Sequence, residues 1–482
     1  MKSRIIVFIM LLSLLINFPL SITAMAYPES GKKILKEITD SKVKDVYLGY
    51  TRSAALTDNG DLYCWGFNEY GQVGNGTKEI QSKPVKILEN VVSVALEDDY
   101  SAAVTSNGDL YCWGANYYGQ IGDGTKEDRT RPVKVLEDVA SVALENSYSA
   151  AVTNTGDLYL WGWNIYGNIG NGTEEDKSRP VKVMENVKSV ALGYFQSAAV
   201  THNGDLYCWG KNDYGQIGDG TEKNRNRPVK VLENVASMDL SYNRTAAITV
   251  HGDLYCWGEN SYGSLGDGTE EHRNRPVKIL KEVRSVVLGS DYSAAVTING
   301  DLYCWGEDSW DRLGNGTEGN QNRPMKILER VQSVALGSGH GAAVTSNGDL
   351  YCWGWNESGQ VGNGTVENQN RPVKIMENVE SVVLEGKHSA AVTRTEDLYL
   401  WGWNEFGQIG NGTKENQSRP IKIDLVHSGG DPSFPTDGEI NVIDNSKITV
   451  NAVDYDKLTE GEIEGAVVSA EGIGEAVTDA YG

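Results

Sequence analysis

After Leu20 the chain has no apolar run long enough to cross a bilayer. Positive charge is scarce, with 43 Lys and Arg against 66 Asp and Glu and a formal net charge of −23. That balance excludes a nucleic-acid surface, whose phosphates need a basic footprint, and an anionic membrane surface for the same reason. It reads as a solubility device. The 6 cysteines show no CxxC spacing, and no Gly-rich segment ends in the Gly-Lys-Ser/Thr of a phosphate cradle. The histidines (His202, His251, His272, His340, His388, His427) are scattered, and no nucleophile–base pair recurs. The sequence therefore assigns no catalytic residue, no cofactor and no metal site.

The N-terminus does carry an address. Lys2 and Arg4 precede an apolar run from Ile5 to Leu20, and Ala24-Met25-Ala26 closes it with a small-x-small cleavage pattern. Residues 1–26 are expected to be a signal peptide, which makes the protein secreted or displayed at the cell surface. An uncleaved anchor is the alternative, because the run is near the lower length for spanning.

Trp-Gly pairs begin at Trp65, Trp113, Trp161, Trp209, Trp257, Trp305, Trp353 and Trp401, each 48 residues after the last. A fixed period of this kind signals a repeat architecture. The second copy reads Ser93-Val-Ala-Leu96, Ser101-Ala-Ala-Val-Thr105, Asp109-Leu-Tyr-Cys-Trp-Gly114 and Pro132-Val-Lys-Val-Leu136. Each block is short, rich in β-branched or aromatic residues and bounded by turn formers, so each repeat is expected to be four antiparallel strands, A to D. Asn107-Gly108 and its counterparts predict a type I′ hairpin turn between B and C. One such sheet cannot bury both faces. Stacking the copies radially solves this as a β-propeller, and regular terminal copies favour a closed ring over a capped solenoid.

Gly-x-Leu-Tyr-x-Trp-Gly, His388-Ser-Ala-Ala-Val-Thr393 and Gly407-Gln-Ile-Gly-Asn-Gly-Thr413 resemble the repeat signature of the RCC1 family. The resemblance implies an all-β propeller, in that family commonly with seven blades. Eight complete copies favour eight blades here. The propeller is placed at 43–426, after a lead-in at 27–42. Residues 427–439 read as a linker, and 440–482 as a small acidic module or incomplete domain with a strand-like run at Lys447–Val453.

The cysteines (Cys64, Cys112, Cys208, Cys256, Cys304, Cys352) all precede the Trp, and Leu160 and Leu400 fill that place in the other two copies. A site that accepts Leu is an apolar core position, so buried free thiols are expected rather than disulfides or a thiolate metal ring. Segments such as Gly71–Thr77 read as structural loops, with Asn75 or Asp123 tolerating a left-handed turn. The aspartates from Asp61 to Asp397 read as turn residues, with a cation ring as the alternative. Arg-Pro pairs at Arg131, Arg179, Arg227, Arg275, Arg323, Arg371 and Arg419 suggest a belt of surface ion pairs with glutamates such as Glu137.

In an up-and-down sheet the A–B and C–D loops share one face. Those loops vary between copies and carry aromatics, as a recognition surface on a rigid frame would. The candidate partner-binding residues are Tyr50, Tyr100, Tyr148, Tyr194, Phe195, Tyr242, Tyr292, Trp163, Trp310, Trp355 and Trp403. The Tyr that precedes Gly-Gln in several copies is read as loop packing. The expected function is a non-enzymatic, monomeric binding module for an extracellular protein or glycan. Guanine-nucleotide exchange is the alternative that the family resemblance implies, although the invariant spacing leaves no room for an inserted wedge. A propeller hydrolase or lyase is the other.

Overall fold

The computed structural model describes residues 42–425 and the backbone of two short strands, Ile440–Asp444 and Lys447–Val450, which pair antiparallel. The expected signal peptide and the 427–439 linker lie outside the described residues.

Residues 43–423 form eight four-stranded antiparallel sheets. Blade 1 comprises Val43–Gly49, Arg52–Thr57, Leu62–Gly66 and Gln81–Leu88, and blade 8 comprises Val379–Glu385, His388–Thr393, Leu398–Gly402 and Gln417–Ile423. Strands run in sequence order within each sheet, and A strands of neighbouring blades touch, which puts them innermost.

Strand B explains the stacking. Its paired alanines, such as Ala102 and Ala103, are fully buried and small enough for the next sheet to close on them. The strand C tryptophans fill what remains, all eight with no exposed surface. Trp113 Nε1 of blade 2 donates to Gln72 O of blade 1 at 2.9 Å, and Ser101 Oγ donates to the same oxygen at 2.8 Å. A Cβ on Gly74 would lie 2.6 Å from that indole nitrogen. Trp-Gly and Gly-Gln-x-Gly thus recur together because each loop is the socket for the next blade's indole.

Each hydrophobic cluster joins two successive blades, and one joins Leu400 and Ile409 of blade 8 to Val43 and Trp65 of blade 1. Trp65 Nε1 reaches Gln408 O at 2.8 Å, the contact made at the other interfaces. The ring is closed and has eight blades, so the solenoid and seven-blade alternatives fall. The cysteines are buried and free, and burial pushes the Cys64 thiol up to about 12.

Three local expectations need correction. The B–C hairpins form, but not through type I′ turns: Gly60 has φ 87° and Asn59 is not left-handed. Gly60 N bonds Thr57 O and Thr57 N bonds Asp61 O, a turn followed by a left-handed bulge glycine, which also accommodates Thr155 and His251 in the Asn place. Next, Asn75 is not left-handed either. The flanking Gly74 and Gly76 take that conformation, while Asn75 Oδ1 accepts from Thr77 N at 3.1 Å and Thr77 Oγ1 at 2.9 Å. Finally, the Arg before Pro does not make the rim ion pairs. Arg131 covers Gly76 of the previous blade, and Lys134 bridges Asp109 at 2.7 Å and Glu137 at 2.8 Å. All eight third-strand aspartates pair with such a lysine, from Lys86–Asp61 to Lys422–Asp397.

Candidate binding face

The first residue of strand B varies through Arg52, Tyr100, Tyr148, Gln196, Arg244, Tyr292, His340 and His388. All eight are buried. Each reaches across to the following blade. Arg52 bonds Tyr100 O, Tyr100 Oη donates to Tyr148 O at 2.6 Å, and Tyr148 Oη donates to Gln196 O at 2.5 Å. Gln196 Nε2 donates to Arg244 O at 2.9 Å, Arg244 to Tyr292 O at 3.3 Å, and Tyr292 Oη to His340 O at 3.0 Å. The histidines complete the circle on hydroxyls, His340 Nε2 with Ser389 Oγ at 3.0 Å and His388 Nε2 with Ser53 Oγ at 3.4 Å. Tyr100, Tyr148 and Tyr292 are therefore struts of the ring and no part of a recognition surface. Their variation, which sequence reasoning takes for recognition, is a set of different long polar side chains spanning one gap. Phe195 is buried too, 3% exposed under Tyr194 and Trp163.

The remaining candidates stay on the A–B and C–D loops with part or much of their surface free. Tyr50, Tyr194, Tyr242 and Trp310 are exposed, and Trp163, Trp355 and Trp403 are half-buried. Ring contacts join them into arcs. One runs Tyr117–Tyr70–Phe67–Phe406–Trp403–Tyr50 across blades 2, 1 and 8. A second runs Tyr118–Trp163–Phe195–Tyr194–Tyr242 across blades 2 to 5. The third is Trp310 on Trp355, blades 6 and 7. Tyr117 and Tyr262, exposed in the C–D loops, belong to the same face and were left out of the sequence-based set. Only the contrast between Tyr117 and the loop-packing Tyr118 beside it could have marked the first.

The loops are acidic as well. Glu97, Asp98, Glu145 and Glu385 lie close enough to interact at the inner ends of blades 2, 3 and 8. Crowding out of water, then mutual repulsion, pushes the Glu97 and Glu145 carboxyls well above the usual range. In the A–B loops and the opening four residues of the C–D loops, the basic side chains are Lys211 and Lys387 alone. Both are engaged by rings, Lys211 5.7 Å from the centroids of Tyr166 and Tyr194 and Lys387 4.2 Å from that of Trp355. The arrangement can hold cationic and apolar groups together.

Comparison with known proteins agrees with this architecture. A short stretch is 39% identical over 67 residues to the human E3 ubiquitin-protein ligase HERC2, covering 13% of this chain and 1% of that one. The Arabidopsis thaliana ultraviolet-B receptor UVR8 is 38% identical over 53 residues, 11% of this chain and 12% of the receptor. The matches thus span a small part of either relative. Among solved structures, Prp20p of Saccharomyces cerevisiae superposes with a TM-score of 0.56 at 21% identity, over 77% of this chain and 95% of Prp20p. Human WBSCR16 gives 0.56 at 22%, over 69% and 98%. The family model of the RCC1-like domain matches residues 23–292 and 184–434, most of the chain. The protein belongs to the RCC1-like domain family.

Proposed function

We propose that this propeller is an exported, non-enzymatic binding module whose A–B/C–D face takes a protein partner with a basic surface. The observation that carries the reading is the asymmetry of its charges. On the opposite rim each strand C aspartate is neutralised by a lysine, whereas on the loop face the exposed Glu69, Asp98, Glu357 and Glu405 have no cation against them among the described residues and stand amid the exposed Tyr and Trp rings. Aromatics of that kind supply hot-spot area, and surrounding charge steers a complementary partner. Propellers of this fold do engage proteins: Prp20p was characterised for its binding to Gsp1p and histones, and yeast RCC1 was crystallised with Kap60. The leader-like N-terminus points to an extracellular partner.

The test passes extracellular protein over immobilised residues 27–482 and over a Tyr117→Ala/Tyr194→Ala/Tyr242→Ala variant. These three rings are exposed, so the fold survives their loss. Basic proteins should be retained by the first and released by the second. Equal retention moves the site off this face, and catalysed nucleotide exchange on a small GTPase would replace the reading with the family alternative.

A further inference from the structure

We infer that the blade 6 loop Glu307–Arg312, together with Trp355 of blade 7, is an anchor site for an arginine side chain presented by the partner protein. This rests on the binding-face reading above and locates its centre.

Seven of the eight C–D loops open with Asn at their second position and Gly at their fifth. In blade 5, Asn260 Nδ2 donates to Thr269 O at 3.0 Å and Glu271 O at 3.1 Å, and Oδ1 accepts from Leu265 N at 2.8 Å. Blade 6 gives up both residues. Asp308 can only accept, from Leu313 N at 3.1 Å, and its Oδ2 is buried without a partner. Trp310 and Asp311 both adopt φ 62°, a left-handed conformation costly for side-chain-bearing residues. A scaffold that keeps its rule seven times and breaks it once, at a cost in stability, marks a place where something other than stability is at work.

What the departure achieves is an exposed, positioned indole. Trp310 is 49% exposed and stacks on Trp355 with centroids 5.1 Å apart at 20°. Arg312, 3% exposed, is held by Glu307 at 2.8 Å and lies 5.0 Å from the Trp310 ring and 5.3 Å from Tyr292. Lys387 covers Trp355 from blade 8. Trp310 lies inside a series of rings and cations, between Arg312 and Trp355, and the half of its surface that stays exposed is what a partner can reach. The adjoining A–B loop, Gly337-Ser338-Gly339, packs close beside the two indoles, where a Cβ on Gly339 would lie 3.2 Å from Trp355 and 3.6 Å from Trp310, so only so small a loop leaves Trp310 half exposed. Asp311 and the exposed Glu357 add negative charge in the same loops. A guanidinium is planar, weakly hydrated and able to stack on indole while bonding a carboxylate, which favours Arg over Lys.

The experiment titrates the full chain at physiological salt with hexa-arginine, hexa-lysine and cellohexaose. Hexa-arginine should bind about tenfold more tightly than hexa-lysine, and Trp310→Ala, which changes no charge, should weaken it about tenfold. Tyr262→Ala, exposed on the same face in blade 5, should leave it unchanged. A variant restoring the repeat (Asp308→Asn/Asp311→Gly/Arg312→Gln) should raise Tm and lose the arginine preference, so a folding defect cannot imitate the result. Equal binding of the two peptides, indifference to Trp310→Ala, or Trp310-dependent cellohexaose binding each overturns the anchor while the wider face reading stands. Failure of the unmodified protein to bind either peptide overturns both.

Discussion

Asp123, Asp219 and Asp267 each have an arginine six residues on, Arg129, Arg225 and Arg273. Where the loop has Asn75, Asn171, Asn315, Asn363 or Asn411, that later place holds Gln or Lys. The structure gives the reason. Arg129 closes on Asp123 at 2.5 Å, and the carboxylate side chain is only 6% exposed. Burial pushes the Asp123 carboxyl up, but its bonds from Thr125 and Arg129 outweigh that and hold it below the usual range. Arg129→Gln alone should cost about 2 kcal/mol by stripping a charged partner from a nearly buried carboxylate. Asp123→Asn/Arg129→Gln, which reproduces blade 1, should return to within about 0.5 kcal/mol of the parent. Urea unfolding of the parent, Arg129→Gln, Asp123→Asn and the double variant measures the coupling, and additive losses would refute it. The eight copies show the covariation, but with Asp123 read as a turn residue its charged partner went unread. The burial of Tyr100 was not legible either, since Arg, Tyr, Gln and His share no property except reach.

At the level of strands and turns, the four blocks of each repeat were readable from β-branched and aromatic runs between turn formers. Turn type was not, because Asn-Gly suits both a type I′ turn and a turn ending in a bulge glycine; only Thr155, His251 and Thr395 at the Asn place speak for the latter. The struts carry a pH consequence. Burial, then the neighbouring His388, pushes His340 down to about 3, and burial pushes His388 down to about 4. Both are neutral in the folded ring, while the unfolded chain binds protons below about pH 6.5. Their contribution to stability is thus complete above that pH and is lost progressively as pH falls toward 3–4. The crowded glutamates act in the opposite sense, since acid discharges their repulsion, so the histidine effect is read as a difference between proteins. His340→Gln/His388→Gln borrows the residue blade 4 uses at this place, Gln196. Its Tm should fall less between pH 6.5 and 4.5 than the parent's. Parallel Tm–pH curves would show that the two imidazoles protonate without opening the ring.

For the molecule as a whole, the strict period and the regular first and last copies foretold closure, but not the quality of the closing seam. Most blade interfaces repeat one set of contacts, and the blade 8–blade 1 interface keeps the indole bond and the bond from the first strand A valine, Val43 N to Glu396 O, but at 3.2 Å where Val91 N to Gly60 O is 2.8 Å. It departs in two places: Lys83 stands where the other copies have Arg, and Glu396 stands where the other copies have Gly. The seam is thus the one interface with no covalent connection and with the longest of these backbone bonds. Val43 and Leu425 share one hydrophobic cluster there, so a short Gly-Ser linker can join them. A circular permutant joined at that point and opened in the exposed turn at Glu137–Asp138 transfers the break to an interface with full contacts, where Tyr100 bonds Tyr148 O at 2.6 Å. It should unfold in a single calorimetric transition at a Tm equal to or above that of the original order. A lower Tm, or two transitions, would mean that the present seam is the strongest interface and that its departures are compensated by contacts in the Val43–Leu425 cluster.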